Sequence, residues 1–435
     1  MSTPAPVIGL DVGTSGVRAV AVARGGEIVA TAQALLPAPE RDGDGGVRQD
    51  AELWWQAVLD VLTRLTAGLP GPPPAALCLD GTSATLLLCT PDGTPLGPAR
   101  MYNDTSARAE SDQVAAVAPA DSPARGASAS LAKLLRLLAE HGAAGPVLAL
   151  HQADWIGGRL RGRFGDSDWN NALKLGFDPA AERWPAWLGD LPLARVTLPR
   201  CHRPGSDLGH IDPAIAAATG LSPTLRVLAG TTDSTAATLA AGAREPGDAV
   251  TSLGSTLVLK IVSDRPIGSP AHGIYSHRLG GAWFAGGASN SGGAVLRQFF
   301  DDDRLAALSA GIDPATPSGL DYYPLPGPGE RFPLADPALA PRMTPRPADD
   351  ALFLKGLLEG IARIERNGYR LLQDLGAPPP RRILTVGGGA GNVQWTAMRA
   401  RLLGLPVKPA RHRDAAYGAA RLALQPRPVA AEDGR

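Results

Sequence analysis

Residues 7–22 read VIGLDVGTSGVRAVAV. Two runs rich in Val and Ile, apolar at alternate positions, flank the small-residue segment Gly13-Thr14-Ser15-Gly16, and a lone carboxylate, Asp11, stands just before it. This alternation predicts two antiparallel strands joined by a tight turn. A plain hairpin needs only its glycines. Two hydroxyls and an acid at the lip raise the question of what the turn holds.

The same architecture returns in PGDAVTSLGSTLVLKIVSD (246–264), where the turn is built on Gly254, Ser255 and Thr256, so the second half echoes the first in pattern. Two further junctions have this character. TLRVLAGTTDSTAATLAAGA (224–243) reads as a buried strand entering a helix through Thr, Asp and Ser, and RRILTVGGGAGN (381–392) as a strand running into the helix VQWTAMRARLLG (393–404). Glycine lets a backbone approach a ligand closely, consecutive N–H groups make an anion nest, and a helix start adds its positive dipole end. One such loop carries little weight. Four of them, at 13–16, 230–234, 254–256 and 387–392, are harder to discount as plain turns.

The rest of the pattern alternates strands and helices, which implies an α/β fold. A helix is expected over 50–68, with Asp50 as its cap. AALCLDGTSATLLLCTPDGTPL (75–96) reads as strand, turn, strand, followed by a second hairpin turn at Asp92-Gly93. Helices are expected at 128–141, 151–160, 349–375 and 413–424, a loop-rich stretch at 176–224 and a Pro-rich surface excursion at 311–349.

The 435 residues exceed the usual size of one core, so two domains are expected. With 42 basic and 42 acidic residues there is no net field to attract nucleic acid or an anionic membrane. Three cysteines without a close pair argue against a disulfide framework or a thiolate zinc site. The histidines show no HxxH or HExxH pairing. The N-terminal MSTPAP lacks the features of a secretory signal, and no apolar run nears the roughly 20 residues that span a bilayer. A cytoplasmic chain is expected, monomeric or homodimeric, with disorder confined to the last ten residues.

Together these motifs resemble the FGGY carbohydrate kinases, of the actin-like and hexokinase-like ATPase superfamily. GLDVGTSGVRAV is similar to the family's first phosphate motif, GTTDSTAA to the segment bearing its catalytic Asp, SLGST to its second phosphate motif, and VGGGAGNVQWTAMRARLLGLPV to its adenosine motif. The resemblance covers nearly the whole chain. It implies two ribonuclease-H-like domains, 1–240 and 241–412, with a cleft between them and the helix at 413–430 packing back on the first; hinges then fall near 240 and 412. It also implies ATP and Mg²⁺ as cofactors and a small sugar as the partner.

Carried over by position, Asp11 becomes the acid that holds Mg²⁺ through water, since that ion keeps several of its waters. Gly13, Thr14 and Ser15 grip the γ-phosphate, with Thr14 in a catalytic role; the alternative is a turn hydroxyl bonded to its own backbone. Asp233 becomes the base that takes the sugar hydroxyl's proton, or the N-cap of its helix, or both. Gly254, Ser255 and Thr256 form the second phosphate grip. Gly388, Gly389 and Asn392 wall the adenosine, and Trp395 either covers the purine face or packs in the core beneath its helix.

The acceptor is read from two segments. Where xylulose kinases carry Met-His-Gly and glycerol kinases Gln-Arg, this chain has DGTSAT (80–85), and with MYND (101–104) it is similar to the short D-ribulose kinase subgroup. The resemblance makes Ser83 a ligand of a sugar hydroxyl and sets Asn103 and Asp104 in the polar substrate loop. Ser83 as a plain strand-end hydroxyl and Asp104 as the cap of the helix that follows remain the competing readings. D-Ribulose is thus preferred to D-xylulose, L-ribulose or a polyol, and a nucleotide-binding sensor without turnover is the remaining rival.

Overall fold

The computed structural model describes residues 4–142 and 145–424. The chain divides into two compact units: residues up to Ala240 with those from Asp414 onward, and Ala241–Arg413.

In the first unit, β1 (Val7–Val12) and β2 (Gly16–Val22) form the expected hairpin, which pairs Asp11 with Arg18, and β3 (Ile28–Leu35) extends it. On the other side of β1 lie β4 (Ala76–Gly81) and β6 (Arg226–Thr232), both parallel to it in direction, and β5 (Asp207–His210) closes the edge. The sheet order is β5-β6-β4-β1-β2-β3. Side chains alternate across a sheet, and here each face has its own helix. Ile8, Leu10 and Val12 join a core with Trp54, Val58 and Leu62 of α1 (Ala51–Ala67), whose first turn is capped by the Asp50 carboxylate at 3.0 Å from Glu52 N. Gly9 faces the closing helix Ala415–Ala423, where a Cβ would lie 1.8 Å from the Ala416 carbonyl oxygen; only glycine permits that contact. The last part of the helix expected at 413–430, and the last ten residues, lie outside the described residues.

A second sheet in this unit contains Leu86–Cys89 between Val147–His151 and Ala99–Arg100. The strands at 76–81 and 86–89 are therefore not partners in a hairpin; the turn between them carries the chain from one sheet to the other. Helix α2 (Ser130–His141) packs Leu131, Leu134 and Leu138 on that second sheet, and α3 (Gln152–Arg161) follows its strand Val147–His151 directly. The stretch read as loop-rich holds a 3₁₀ helix, Ala186–Asp190, and one short α-helix, Pro213–Thr219, started by Asp212 and by proline at its first position. Helix α4 (Asp233–Ala241) leaves β6 without a connecting residue.

The second unit is built on β7 (Asp248–Leu253) and β8 (Leu257–Ser263), an antiparallel pair like β1 and β2. A hairpin of β9 (Tyr275–Leu279) and β10 (Ala282–Ser289) adds to β8, while β11 (Arg382–Val386) runs parallel to β7 and β12 (Val407–Pro409) to β11. The β9–β10 hairpin was not anticipated: in AWFAGGAS the glycines break the alternation. Helix α5 (Asp350–Asp374), capped by Asp349, and α6 (Val393–Leu403) cover this sheet. The Pro-rich 311–349 has no regular strand or helix, yet it drives Tyr322 and Phe332 into this unit's core, so it is more than a surface excursion. Among the described residues no helix is long and apolar enough to cross a membrane.

Candidate active site

Three carboxyl groups meet at the C-terminal ends of neighbouring strands in the first unit. Asp11 on β1 stands level with Asp80 on β4, and Asp80 is level with Thr231 on β6, two residues before Asp233. Asp80 is fully buried, and neither of its oxygens has a donor within reach. The hydrogen bond open to the pair is one in which a single proton is shared between Asp80 and Asp11. Burial pushes Asp11 up to about 6 and the Asp233 charge adds to this, against the pull of Asp80's hydrogen bond and of Arg18. Burial, then the Asp11 charge, drives Asp80 well above the ordinary carboxylate range. Asp80 was given no role in the sequence reading; its signal there was an acid inside an otherwise apolar strand, ALCLDG.

Asp233 is the first residue of α4, half-buried, and its Oδ1 accepts from Ser234 N at 2.6 Å. It thus accepts an N–H from the first turn of its own helix while lying close enough to raise both neighbouring acids. The strand before it is bulged between Leu228 and Thr231, and at Gly230, inside the bulge, a Cβ would sit 1.8 Å from the Leu79 carbonyl oxygen. Gly230 thus serves strand packing, not close approach to a ligand. The bulge re-aims the strand end that carries Asp233. From the side, Asn170 Nδ2 donates to Thr231 Oγ1 at 2.9 Å and Asn171 Nδ2 to Thr231 O at 3.2 Å.

The turn at 13–16 is closed by Gly13 N donating to Gly16 O at 3.0 Å, and Ser15 O accepts from Leu36 N. Gly16 too is required by packing, since a Cβ would stand 2.6 Å from Ala34 O. Thr14 is half-buried and Ser15 exposed, which leaves this edge open to a ligand.

Two expected substrate residues behave differently from each other. Ser83 lies at the second position of the tight turn 82–85, half-buried, and its hydroxyl has no partner among the described residues. Asp104 is fully buried, and its oxygens are saturated: Val47 N at 2.9 Å and Arg100 Nη1 at 3.0 Å on one, Ser106 N at 3.0 Å and Ser106 Oγ at 2.6 Å on the other. Against its burial, the Ser106 and Val47 hydrogen bonds and the Arg100 charge hold it below the ordinary range. Asp104 is a corner-stone of its loop and has no oxygen left for a sugar, which corrects the substrate role expected of it. It does not cap the following helix either: that helix starts at Arg108, with Ala107 before it. The neighbouring Asn103 keeps a buried, unpartnered Oδ1.

In the second unit a cavity of about 870 Å³ opens beside the 254–256 turn. Gly254, Ser255, Gly388, Gly389, Asn392 and Trp395 all line it; Thr256 does not. Asn392 is fixed at both ends of its amide, Oδ1 accepting from Trp395 N at 2.8 Å and Nδ2 donating to Ser309 Oγ at 2.9 Å. Trp395 is buried to 3% exposure and its indole N–H is bonded to Leu358 O at 3.1 Å. The core reading of Trp395 is the one that holds: it is the floor beneath Gly389 rather than an exposed stacking face. The sequence reading missed Arg297 at this rim, paired with Asp302 at 3.2 Å, and the 291–294 segment whose N–H groups bond the 254–255 carbonyls.

The first unit thus carries three acids at its strand ends, one of them fully buried, and the second unit a glycine-walled cavity. Models of the N-terminal and C-terminal domains of the FGGY family of carbohydrate kinases match residues 6–122 and 249–425. The Streptomyces coelicolor xylulose kinase is 30% identical over 95% of this chain and 86% of its own length, and the Escherichia coli xylulose kinase 26% identical over 96% and 89%. The solved structure of a xylulose kinase from Rhodospirillum rubrum superposes with a TM-score of 0.83 at 26% identity, covering 96% of this chain and 89% of that one. This chain belongs to the FGGY carbohydrate kinase family, whose members use ATP.

Proposed function

We propose that the protein transfers the γ-phosphate of ATP to a hydroxyl of a ketopentose, D-ribulose before D-xylulose. The observation that carries the reading is the meeting of Asp11, Asp80 and Asp233 at adjacent strand ends, two of them raised by burial and mutual charge. Asp233 serves as the base, accepting the acceptor hydroxyl's proton as the bond to phosphorus forms. Its place at a helix start favours the ionised form it needs. The half-open edge at 14–15 offers the Thr14 and Ser15 N–H groups and the Thr14 hydroxyl to a phosphate, and the Ser255 end of the 254–255 turn lies beside the cavity. The adenosine lies in that cavity against Gly388, Gly389 and Asn392, over the Trp395 floor.

The acid pair also fits a divalent cation, because two adjoining carboxyls, one of them buried with no protein donor on either oxygen, are a natural counter-charge for one. Asp11 would hold Mg²⁺ through water, and the ion would neutralise charge on the phosphates.

The preference for D-ribulose rests on Ser83, whose hydroxyl has no partner among the described residues and, by the resemblance, takes the place of the imidazole of Met-His-Gly. The names of the relatives favour D-xylulose as the second reading. A coupled ADP-release assay over D-ribulose, D-xylulose, L-ribulose, ribitol and glycerol tests this. D-Ribulose is expected to give the highest kcat/KM; a clear lead for D-xylulose overturns the acceptor assignment. Asp233→Asn should lower kcat by about 10²–10⁴-fold with substrate binding retained. Turnover at the wild-type rate would remove Asp233 from the chemistry.

A further inference from the structure

The first unit buries a lysine with no carboxylate at its head. Lys133 on α2 has 0% exposure, and its Nζ donates to three main-chain carbonyls: Ala84 O at 2.9 Å, Met101 O at 2.7 Å and Tyr102 O at 3.2 Å. An ammonium has three N–H donors and no acceptor, so the match is complete. Burying that charge without a direct counter-ion is costly, and the cost is met only where carbonyl dipoles converge on it. Desolvation brings its pKa down to about 7, opposed by the Asp104 charge and aided by those of Lys174 and Arg100.

The three carbonyls belong to two separate loops. Ala84 O comes from the turn that presents Ser83, and Met101 O and Tyr102 O from the corner that presents Tyr102 and Asn103. Sharing one ammonium, these carbonyls stand within about 6 Å of one another, so the two loops are neighbours there. The turn is also held from the opposite side. Gln152 Oε1 accepts from Thr82 N at 3.0 Å and from Thr82 Oγ1 at 2.9 Å, and Gln152 N donates to Thr85 O at 3.2 Å. Ala84 is kept at φ 66°, a left-handed conformation that a residue with a Cβ adopts only when its surroundings enforce it. With the backbone held in this way, the groups left unpaired on the two loops are the half-buried Ser83 hydroxyl, the buried Asn103 amide oxygen and the half-exposed Tyr102.

We propose that Lys133 is a positioning residue of the acceptor site, which locks the Ser83 turn to the Tyr102-Asn103 corner so that their unpaired polar groups meet the sugar's hydroxyls as one preset surface. This rests on the reading of Ser83 as an acceptor contact. Lys133 touches no substrate itself. Its contribution is preorganisation, so its loss should appear in acceptor affinity and leave the nucleotide untouched.

The test uses the full chain with Lys133→Met, Lys133→Gln and Ser83→Ala, assayed with the best acceptor and with ATP varied in turn. Lys133→Met should raise the acceptor KM about tenfold or more, keep kcat at saturating acceptor within about threefold, and leave the KM for ATP unchanged. Lys133→Gln, with two N–H donors, should fall between it and wild type. In the Ser83→Ala background the effect of Lys133→Met should shrink, because the hydroxyl it positions is gone. Equal changes in the acceptor and ATP constants, a full additive effect on top of Ser83→Ala, or failure of both Lys133 variants to fold would each overturn the proposal and leave Lys133 a pillar of the fold. An unchanged acceptor KM in Ser83→Ala alone would instead strike at the acceptor reading of Ser83.

Discussion

Replacing Arg399 by Met should weaken the second unit more than any surface change, and the structure sets the size of the loss. Arg399 and Glu365 are both at 0% exposure and joined by two bonds, Nε to Oε2 at 2.6 Å and Nη2 to Oε1 at 2.7 Å. Arg399 Nη1 also donates to Thr385 Oγ1 at 2.8 Å, and Thr251 Oγ1 donates to Glu365 Oε1 at 2.6 Å. Thr251 and Thr385 stand level on β7 and β11, three residues before Gly254 and Gly388. The pair therefore ties together the two strands that feed the cavity's loops. Removing one partner of a buried pair strands the other charge, at a cost of about 3–5 kcal/mol. That is a large part of a domain's usual stability of roughly 5–15 kcal/mol. The two units can unfold separately, so a single melting curve is a poor readout. Amide exchange at 248–253 and 382–386 reads the second unit alone, and should quicken by roughly two to three and a half powers of ten. Glu365→Leu with Arg399→Met should recover most of the loss, since a buried pair replaced by apolar side chains is often neutral. Exchange within tenfold of wild type in the single variant, or a double variant no better than the single, would refute the reasoning.

Two neighbouring glycines should separate binding from folding. A Cβ at Gly388 meets nothing within 4 Å, so Gly388→Leu should fill the cavity, raise the KM for ATP about tenfold or more and leave thermal stability alone; a Cβ at Gly389 would lie 2.6 Å from the Trp395 ring and 2.8 Å from Leu253 Cβ, so Gly389→Ala should cost about 1–3 kcal/mol in denaturant melts. The buried Lys133 makes stability depend on pH. Its folded pKa of about 7 lies below the unfolded 10.5, so the unfolded chain binds more protons between these values. Stability should rise with pH across that window, by up to roughly 1.4 kcal/mol per unit. Urea melts from pH 7.5 to 9.5 should show the rise in wild type and its loss in Lys133→Met; parallel curves would count against the burial argument.

What was legible in the chain was local. The turns at 13–16 and 254–256, the β6–α4 junction and the helices over 51–67 and 350–374 follow from residues adjacent in sequence, where turn chemistry and period decide the outcome. What was not legible depends on distant partners. Gly16 and Gly230 look like ligand-facing glycines, and only the approach of Ala34 and of Leu79 shows that they make room for neighbouring backbone. Asp104 looks like a helix cap in MYNDTSARAE, and its ties to Val47 and Arg100 depend on how the second sheet closes. Trp395 fits either of its two roles by spacing alone; the Leu358 carbonyl decides between them.

Several buried acids are held by cations, and Asp168 and Glu330 by hydrogen bonds from neutral groups. Asp248 is held by Arg382, Asp166 by Arg161, Arg200 and His202, Asp104 by Arg100, and Glu365 by Arg399. Each of these charges has a cation of its own, and each serves the fold. Asp80 has none: its carboxyl is buried against Asp11, with Asp233 close enough to raise both. Folding alone would favour an apolar residue or an amide at that position, because an ionised acid there finds only like charge. An acid pair opposed only by the more distant charge of Arg18 is relieved when a proton is shared within it or a cation arrives. Under the function proposed above, that deficit of positive charge at the strand ends is where a cation arriving with the nucleotide would sit.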